Sequence, residues 1–243
     1  MNKVAFISGS AKRLGAHTAT HLHSLGYQVV LHCHRSAQQA AELLDCLNNR
    51  RPASAALVRG DLTNTSNLSS MAADIIKQFG RLDVLVNNAS SFYPTPLSNI
   101  HLEQWCELVG SNLQAPLFLC HFLADELKSR KGTIINMVDI HAFRPLAGHS
   151  LYCLAKAGLV SMTQSLAVEL APDVRVNAVA PGAILWPEQD METKQKQDIL
   201  AQIPLARLGE SQDIANAIEY LLQAQYVTGQ VLTVDGGRSL TGA

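Results

Sequence analysis

A tyrosine and a lysine with the spacing needed for acid–base chemistry stand at Tyr152 and Lys156. On a helix, residues four apart lie on one face, so the two side chains meet. A nearby ammonium lowers the pKa of a phenol because it favours the phenolate. The pair therefore predicts a tyrosine that exchanges a proton near neutral pH. The same spacing is also common in surface pairs, so other residues must support the prediction.

Further polar or turn-forming residues follow apolar, strand-like segments of the chain. They are Asn88, Ala89 and Ser90, then Asn112, Asp139, and Pro181 with Gly182. In a sheet of parallel strands, ligands bind beyond the carboxyl ends of the strands. We therefore expect these residues to surround one site together with Tyr152.

The segment 8–15 reads Ser-Gly-Ser-Ala-Lys-Arg-Leu-Gly and follows the first apolar segment. A strand, a turn bounded by Gly9 and Gly15, and a helix N-terminus form an anion site, because backbone N–H groups and the helix dipole favour phosphate there. The turn lacks the full Gly-x-Gly-x-x-Gly pattern. By itself it is equally compatible with a tight connection into a helix.

The second apolar segment ends in His32-Cys33-His34-Arg35-Ser36. An NAD site usually has an acidic residue here that binds the ribose 2′-hydroxyl. An arginine and a hydroxyl instead suit the 2′-phosphate of NADP(H). The alternative is a solvated loop, and His32 and His34 are either phosphate ligands or polar loop residues.

Seven short apolar segments alternate with helix-length segments rich in Ala, Leu, Glu and Gln. They cover residues 4–7, 28–31, 55–58, 82–86, 132–137, 174–179 and 231–234. Nearly continuous apolar strands are typical of a parallel sheet that helices cover on both faces. The alternation predicts an α/β fold, a Rossmann-type doubly wound sheet that forms a single domain over residues 1–243.

Composition narrows the class of protein. A net charge of −1 gives no indication of binding to nucleic acid or acidic membranes. No apolar run approaches the roughly 18 residues of a membrane span, and the N-terminus lacks the apolar stretch of a signal peptide. The five cysteines are odd in number and form no Cys-x-x-Cys pair, which favours the cytoplasm. The nine histidines show no metal-binding spacing, so we expect no metal.

In order and spacing, these residues resemble the short-chain dehydrogenase/reductase family over essentially the whole chain. The resemblance rests on residues 8–15, Asp61 with Leu62, residues 87–89, Asn112, Tyr152 with Lys156, Pro181 with Gly182, and residues 234–237. It implies hydride transfer with a nicotinamide cofactor. It also implies Tyr152 as the acid and base, Lys156 as a ligand of the nicotinamide ribose, Asn112 as the holder of a relay water, and Asp61 beside the adenine.

The resemblance and the motifs together predict a set of NADP(H)-binding residues. They are Gly9, Lys12, Arg13, Leu14, Gly15, His34, Arg35, Ser36, Asp61, Leu62, Asn88, Ala89, Ser90, Tyr152, Lys156, Pro181 and Gly182.

Two departures from the usual family pattern resemble the pteridine reductases. Asp139 stands thirteen residues before Tyr152, where the family usually has serine, and Lys12-Arg13 replaces a more glycine-rich run. Residues 31–36, 87–97 and 136–139 share this resemblance, and residues 181–190 resemble the related dihydromonapterin reductases. The expected substrate is therefore a pterin or folate.

The same resemblance implies how a pterin would be held. Phe92 would stack on it, Arg13 would lie near it and the cofactor phosphates, and Ser90 would offer a hydroxyl. A flat heteroaromatic gains about 1 kcal/mol from such a stack beyond area burial. Asp139 and Tyr152 complete the site, and Trp186 either covers the pocket or packs its own loop down.

The expected protein is a cytoplasmic, NADPH-dependent pterin or folate reductase that forms a homotetramer. Two other functions remain open. One is a carbonyl reductase of the same family that acts on a ketone or 3-oxoacyl substrate. The other is a catalytically silent NADP(H)-binding sensor, against which the intact Asn112, Tyr152 and Lys156 argue.

Overall fold

The described strands form one parallel sheet in the computed structural model, which describes residues 2–186 and 192–241. The strands are β1 (Val4–Ile7), β2 (Gln28–Cys33), β3 (Ala55–Arg59), β4 (Val84–Asn87), β5 (Thr133–Met137), β6 (Arg175–Pro181) and β7 (Val231–Val234). Their order is β3-β2-β1-β4-β5-β6-β7, and every neighbouring pair is parallel. The seven strands expected from the sequence are confirmed, with bounds that differ by a few residues.

Helices cover both faces of this sheet. They are α1 (Arg13–Ser24), α2 (Ala37–Arg50), α3 (Leu68–Phe79), α4 (Leu102–Val109), α5 (Ala115–Ser129), α6 (Ser150–Glu169), α7 (Thr193–Ala201) and α8 (Ser211–Gln223). One core contains side chains of α3, α5 and α6, and the other contains side chains of α1, α2 and α8.

Alternation along the strands explains the two cores. In β1, Val4 and Phe6 enter one core while Ala5 and Ile7 enter the other. Successive strand residues point to opposite faces, so a strand buried on both sides must be apolar throughout. The predicted doubly wound Rossmann-type fold is thereby confirmed.

The strand order brings the predicted site residues to one edge. Because all strands run in the same direction, their carboxyl ends lie together, and the order reverses between β1 and β4. Ligands bind at such a switch point. The turn after β1 and the segments after β2 and β3 lie on one side of it, and the segments after β5 and β6 lie on the other.

The helix between β4 and β5 is interrupted beside this edge. A π-helical turn spans Gly110–Gln114 between α4 and α5. Turns of this kind shift the register of backbone hydrogen bonds and are frequent at functional sites. The turn contains Asn112, which is fully buried.

One helix has the length and composition of a membrane span. Helix α6 has 20 residues and a mean hydropathy of 1.2 over an 18-residue stretch, and it is the only helix of this kind among the described residues. Lys156 and scattered polar residues interrupt the stretch, so it contains no continuous apolar run of that length. Half of the stretch is buried in the fold, and its packing against β6 accounts for its composition.

Candidate active site

The turn after β1 requires glycine at both of its boundaries. Gly9 has a φ of +63°, and a Cβ there would lie 2.9 Å from the Cα of Ala89. A Cβ at Gly15 would lie 2.3 Å from the Gly9 oxygen and 2.5 Å from Nδ2 of Asn88. The turn is therefore packed directly against the end of β4, and any side chain at either position would push the two apart.

Side-chain hydrogen bonds hold this turn in place. Asn88 Nδ2 donates to the backbone oxygens of Ser8 (2.9 Å) and Gly9 (3.1 Å). Ser8 Oγ accepts from the backbone N–H groups of Asn88 and Ala89, each at 2.9 Å. The amide of Asn88 thus braces the turn, a use that its sequence motif did not predict.

His32 lies inside strand β2 and not in the loop after it. Nδ1 accepts from the Gly9 N–H (3.0 Å), and Nε2 donates to the Gly60 oxygen (3.1 Å). Burial lowers the pKa of His32 to about 4, although the bond to Gly60 opposes that shift. The alternative that His32 is a polar loop residue is therefore wrong. His32 borders the cleft, but both ring nitrogens are bonded within the protein, which leaves neither free for a phosphate.

A cleft of about 1030 Å³ opens along the edge of the sheet. Most of the predicted cofactor residues line it: Gly9, Lys12, Arg13, Leu14, Gly15, His34, Arg35, Ser36, Asp61, Leu62, Asn88, Ala89 and Ser90. The other four, Tyr152, Lys156, Pro181 and Gly182, lie outside its lining, toward β5 and β6.

The opposite wall of the cleft was not predicted. Residues of α4 and of the π-helical turn form it, among them Trp105, Cys106, Val109, Gly110 and Gln114. Thr63 also lines the cleft. The sequence has no local signal for this wall, because its position depends on how α4 packs across the carboxyl ends of the strands.

The end of the cleft near β2 and β3 has a mixed charge. His34 and Arg35 are exposed there, and His34 Nδ1 lies 3.8 Å from Oδ1 of Asp61. Burial acts to raise the pKa of Asp61, but hydrogen bonds from Thr63 and the charges of His34 and Arg35 outweigh it and lower that pKa. Asp61 is therefore an ionised acceptor beside a cationic group.

The expected catalytic residues come together on α6 and after β5. The Tyr152 hydroxyl donates to Oδ2 of Asp139 (2.8 Å), and the His141 backbone N–H donates to Oδ1 (2.8 Å). Lys156 Nζ donates to the Met137 oxygen (2.8 Å) and lies 5.6 Å from the centre of the Tyr152 ring. The predicted shared helix face is confirmed.

The expected direction of the Tyr152 pKa is wrong for this geometry. Burial and the Asp139 carboxylate raise that pKa well above its usual value, although the nearby Ser90 hydroxyl opposes them. Lys156 does not offset this effect, because burial also lowers its own pKa to about 8. The Tyr152 proton is therefore held firmly beside the Asp139 carboxylate.

Ser90 connects the cleft to Asn112. Its hydroxyl donates to Oδ1 of Asn112 (2.6 Å), while Nδ2 of Asn112 donates to the backbone oxygens of Ser91 and Leu108, each at 2.9 Å. Each polar atom of the Asn112 side chain is thus bonded to the protein. A relay water at Asn112 stays a prediction, and it would share these atoms.

Phe92 lies beside Tyr152, as a substrate-stacking residue should. The two ring centres are 4.8 Å apart in an edge-to-face arrangement. His149 stacks on Phe92 with a centre distance of 4.8 Å and an angle of 13°. One face of Phe92 is therefore covered by His149, and the ring remains 55% exposed.

Trp186 connects the loop after β6 to the turn after β1. Arg13 Nη2 donates to the Trp186 backbone oxygen (3.1 Å), and Lys196 Nζ lies 5.7 Å from the centre of the indole ring. The rest of the predicted lid segment, residues 187–190, lies outside the described residues. Within the described ranges, no group of three or more His, Cys, Asp or Glu side chains is arranged to bind a metal ion.

The sheet order, the glycine-bounded turn and the paired Tyr152 and Lys156 define a Rossmann-type oxidoreductase that uses a nicotinamide cofactor, NAD(P)H. A family model described as "Enoyl-(Acyl carrier protein) reductase" matches residues 9–239. The chain belongs to the short-chain dehydrogenase/reductase family, and its members named below are reductases of small molecules.

Two kinds of relative are similar over nearly the whole chain. Pteridine reductase 1 of Leishmania tarentolae is 39% identical, and the match covers 99% of this chain and 97% of the relative. A 3-oxoacyl-(acyl-carrier-protein) reductase of Staphylococcus aureus is 33% identical, with 98% of each chain covered. The corresponding enzyme of Staphylococcus epidermidis is also 33% identical, with 98% and 99% covered.

Proposed function

We propose that the chain reduces a pterin or folate with NADPH, converting a dihydropterin to a tetrahydropterin. The observation that carries this proposal is the hydrogen bond from Tyr152 to Asp139, beside the ring of Phe92. A carboxyl group can store and deliver a proton, which a serine in its place does less readily. The similarity to pteridine reductase 1 supports the same substrate class.

The residues of the cleft fit NADPH. A pyrophosphate would lie at the start of α1, where helix N-terminal N–H groups favour an anion, with Lys12, Arg13 and Leu14 around it. Arg35, with His34 and Ser36, would hold the 2′-phosphate, and Asp61 with Leu62 would bind the adenine.

The nicotinamide end of the cofactor would lie toward the second half of the sheet. Ala89 and Ser90 line that end of the cleft, and Lys156 and Tyr152 would bind the ribose. Pro181 and Gly182 end β6 beside β7, where the Gly182 N–H donates to the Val234 oxygen (3.0 Å). They would border the nicotinamide ring.

Tyr152 and Asp139 would deliver the proton in this reaction. A bound nicotinamide supplies the hydride to the carbon of a C=N bond. Tyr152 donates its proton to the ring nitrogen and takes one from protonated Asp139, which is left as a carboxylate and regains a proton from water. The Asp139 carboxylate raises the pKa of Tyr152 and so opposes loss of the Tyr152 proton, which is why this proposal has the Asp139 carboxyl group supply the relayed proton.

Substrate contacts follow from the same geometry. The pterin would stack on the open part of Phe92, between that ring and the nicotinamide, which sets the distance for transfer. Ser90 and Arg13 would donate hydrogen bonds to it. Trp186, tied to Arg13 through its backbone oxygen, would close the side of the pocket nearest the loop after β6.

A panel assay tests this proposal directly. NADPH oxidation is followed with biopterin, dihydrobiopterin, dihydromonapterin, folate and dihydrofolate, and with an acetoacetyl thioester for comparison. We expect kcat/KM to be highest for a dihydropterin. Turnover of the thioester alone would overturn the proposal, and no turnover of any compound would favour a silent NADP(H)-binding sensor.

A carbonyl reductase is the second candidate. The 33% identity to 3-oxoacyl reductases favours it, as does the description of the matching family model. Tyr152 and Lys156 would serve a carbonyl equally well. Asp139 argues against it, because it stands where the family usually has the serine that hydrogen-bonds such a carbonyl.

We also propose that residues 1–243 form one NADP(H)-binding domain that assembles as a homotetramer in the cytoplasm. The small-molecule substrate requires no nucleic acid or membrane partner. The apolar residues exposed on α5 and α6 support the assembly, which is argued further below.

A further inference from the structure

His32 joins two segments that border the cleft, although it is itself buried. Its backbone is bonded to the turn after β1: the Ser10 N–H donates to the His32 oxygen (2.9 Å), and the His32 N–H donates to Oγ of Ser10 (2.9 Å). The residue is only 2% exposed and packs edge-on against Phe6, with ring centres 6.1 Å apart.

The imidazole ring extends this link to β3. Nδ1 accepts from Gly9 in the turn, and Nε2 donates to Gly60, directly before Asp61. These contacts require one tautomer, with the proton on Nε2 and a lone pair on Nδ1. A ring protonated at both nitrogens would direct a second donor at the Gly9 N–H.

Both bonded segments contact opposite parts of the same ligand site. The turn borders the place for the pyrophosphate, and Asp61 with Thr63 borders the place for the adenosine. Because the Gly9 N–H is committed to His32, it is not free to turn toward an anion. The ring therefore determines which backbone donors of the turn remain available.

We propose that neutral His32 is a positioning residue for the dinucleotide, which sets the separation and orientation of the pyrophosphate turn and the adenosine segment. The proposal rests on the proposed cofactor cleft. It does not depend on the pterin or on the 2′-phosphate, because His32 contacts only backbone atoms of Gly9 and Gly60.

Three substitutions separate the two ring contacts. His32→Asn keeps an acceptor near the position of Nδ1, His32→Gln keeps a donor near the position of Nε2, and His32→Phe removes both while retaining a ring against Phe6. Dissociation constants for NADPH are measured on the cofactor-free enzyme. We expect His32→Phe to raise Kd about tenfold or more, with partial recovery in His32→Asn and His32→Gln.

His23 provides a matched control. It is also a buried histidine, 5% exposed, and bonds Ser54 Oγ (2.6 Å), but it does not line the cleft. His23→Phe should lower the Tm and leave the Kd for NADPH unchanged. In His32→Phe, the KM for NADPH should rise in step with the Kd, and by a larger factor than any fall in kcat at saturating NADPH.

Two results would overturn the proposal. One is a Kd in His32→Phe equal to that of wild type, or raised equally in His23→Phe. The other, which needs no variant to fold, is a wild-type ¹⁵N NMR spectrum with the His32 proton on Nδ1.

Failure of this proposal is distinguishable from failure of the proposed function. If wild type binds NADPH but reduces no pterin, only the proposed substrate is wrong. If it prefers NADH, the same variants are measured with NADH.

Discussion

The Tyr152 hydroxyl donates to a carboxylate in a buried site, and this contact governs the chemistry at the scale of single residues. Its oxygen lies 2.8 Å from Oδ2 of Asp139, and both burial and that carboxylate raise the Tyr152 pKa. A tyrosine held in this way is a poor acid beside the carboxylate. We therefore expect Asp139 and Tyr152 to act as a unit.

Replacement of Tyr152 by phenylalanine should remove the proton donor and leave the rest of the cofactor site intact. We expect Tyr152→Phe to lower kcat by about 100- to 10,000-fold with little change in the Kd for NADPH. Stopped-flow turnover and fluorescence titration measure the two quantities. If turnover survives within a few-fold, the proton comes from another group, and Arg13 acting through a water is the next to test.

The buried Lys156 predicts an alkaline limit to function. Burial lowers its pKa to about 8, and the Asp139 carboxylate opposes that shift. As pH rises through about 8, Lys156 loses its charge, and the affinity for NADPH and kcat/KM should both fall.

The variant Asp139→Asn should change the pH at which NADPH affinity declines. Without the carboxylate the pKa of Lys156 drops further, so the decline in NADPH affinity should move to lower pH. Titrations from pH 6 to about 10 in both proteins check this. A decline that stays in place in Asp139→Asn would assign the alkaline limit to another group.

At the scale of elements, we expect the end of β2 to determine the choice between NADPH and NADH. Arg35 and Ser36 line the cleft at that end, without an acid among residues 32–36. Arg35→Ala should weaken NADPH binding by about 1.5–3 kcal/mol, or roughly 10- to 100-fold, and leave NADH binding nearly unchanged. Arg59→Ala is the control, because Arg59 ends the neighbouring strand outside the cleft lining. Equal kcat/KM values for NADPH and NADH in wild type would contradict the prediction.

The turn after β1 makes a second prediction at this scale. A Cβ at Gly15 would lie 2.3 Å from the Gly9 oxygen. Gly15→Ala should cost about 1–3 kcal/mol of unfolding free energy and weaken NADPH binding. Gly110→Ala serves as the matched control, because a Cβ there meets Thr63 only at 3.5 Å. Equal stability of the two variants in urea would contradict this prediction, because it would show that the turn shifts to accommodate the added methyl group.

At the scale of the whole molecule, helices α5 and α6 leave apolar side chains uncovered. Val168 is 82% exposed, Leu154 is 49% exposed, and Leu117 is 42% exposed. Covering such side chains is favourable, at about 25 cal/mol per Å², and closed symmetric assemblies are the usual solution.

We therefore expect a homotetramer with dihedral symmetry. Light scattering at micromolar concentration measures the mass. Val168→Glu should shift the distribution toward smaller species, while Leu25→Glu, at the end of α1, should not. A monomeric wild type would contradict the expected assembly.

Much of the fold was predictable because its signals are local. Each β-strand is a short apolar run, and in a sheet covered on both faces such a run needs no partner to be recognised. The turn at Gly9 and Gly15 was predictable for the same reason, since a left-handed φ and close backbone contacts restrict residue type at single positions. The opposite wall of the cleft on α4 was not predictable, because no short-range pattern encodes which helix packs across the strand ends.

The same division applies to the candidate site. By itself, the sequence determined the α/β class, the pairing of Tyr152 and Lys156 on one helix face, and the family, since these follow from spacing along the chain. Only the tertiary structure decided that His32 is a buried neutral link and that the Tyr152 pKa rises instead of falling. Both outcomes depend on desolvation and on groups that are distant in the chain, Gly60 for His32 and Asp139 for Tyr152. A pKa reflects the full surroundings of a group in three dimensions, and a one-dimensional pattern does not contain them.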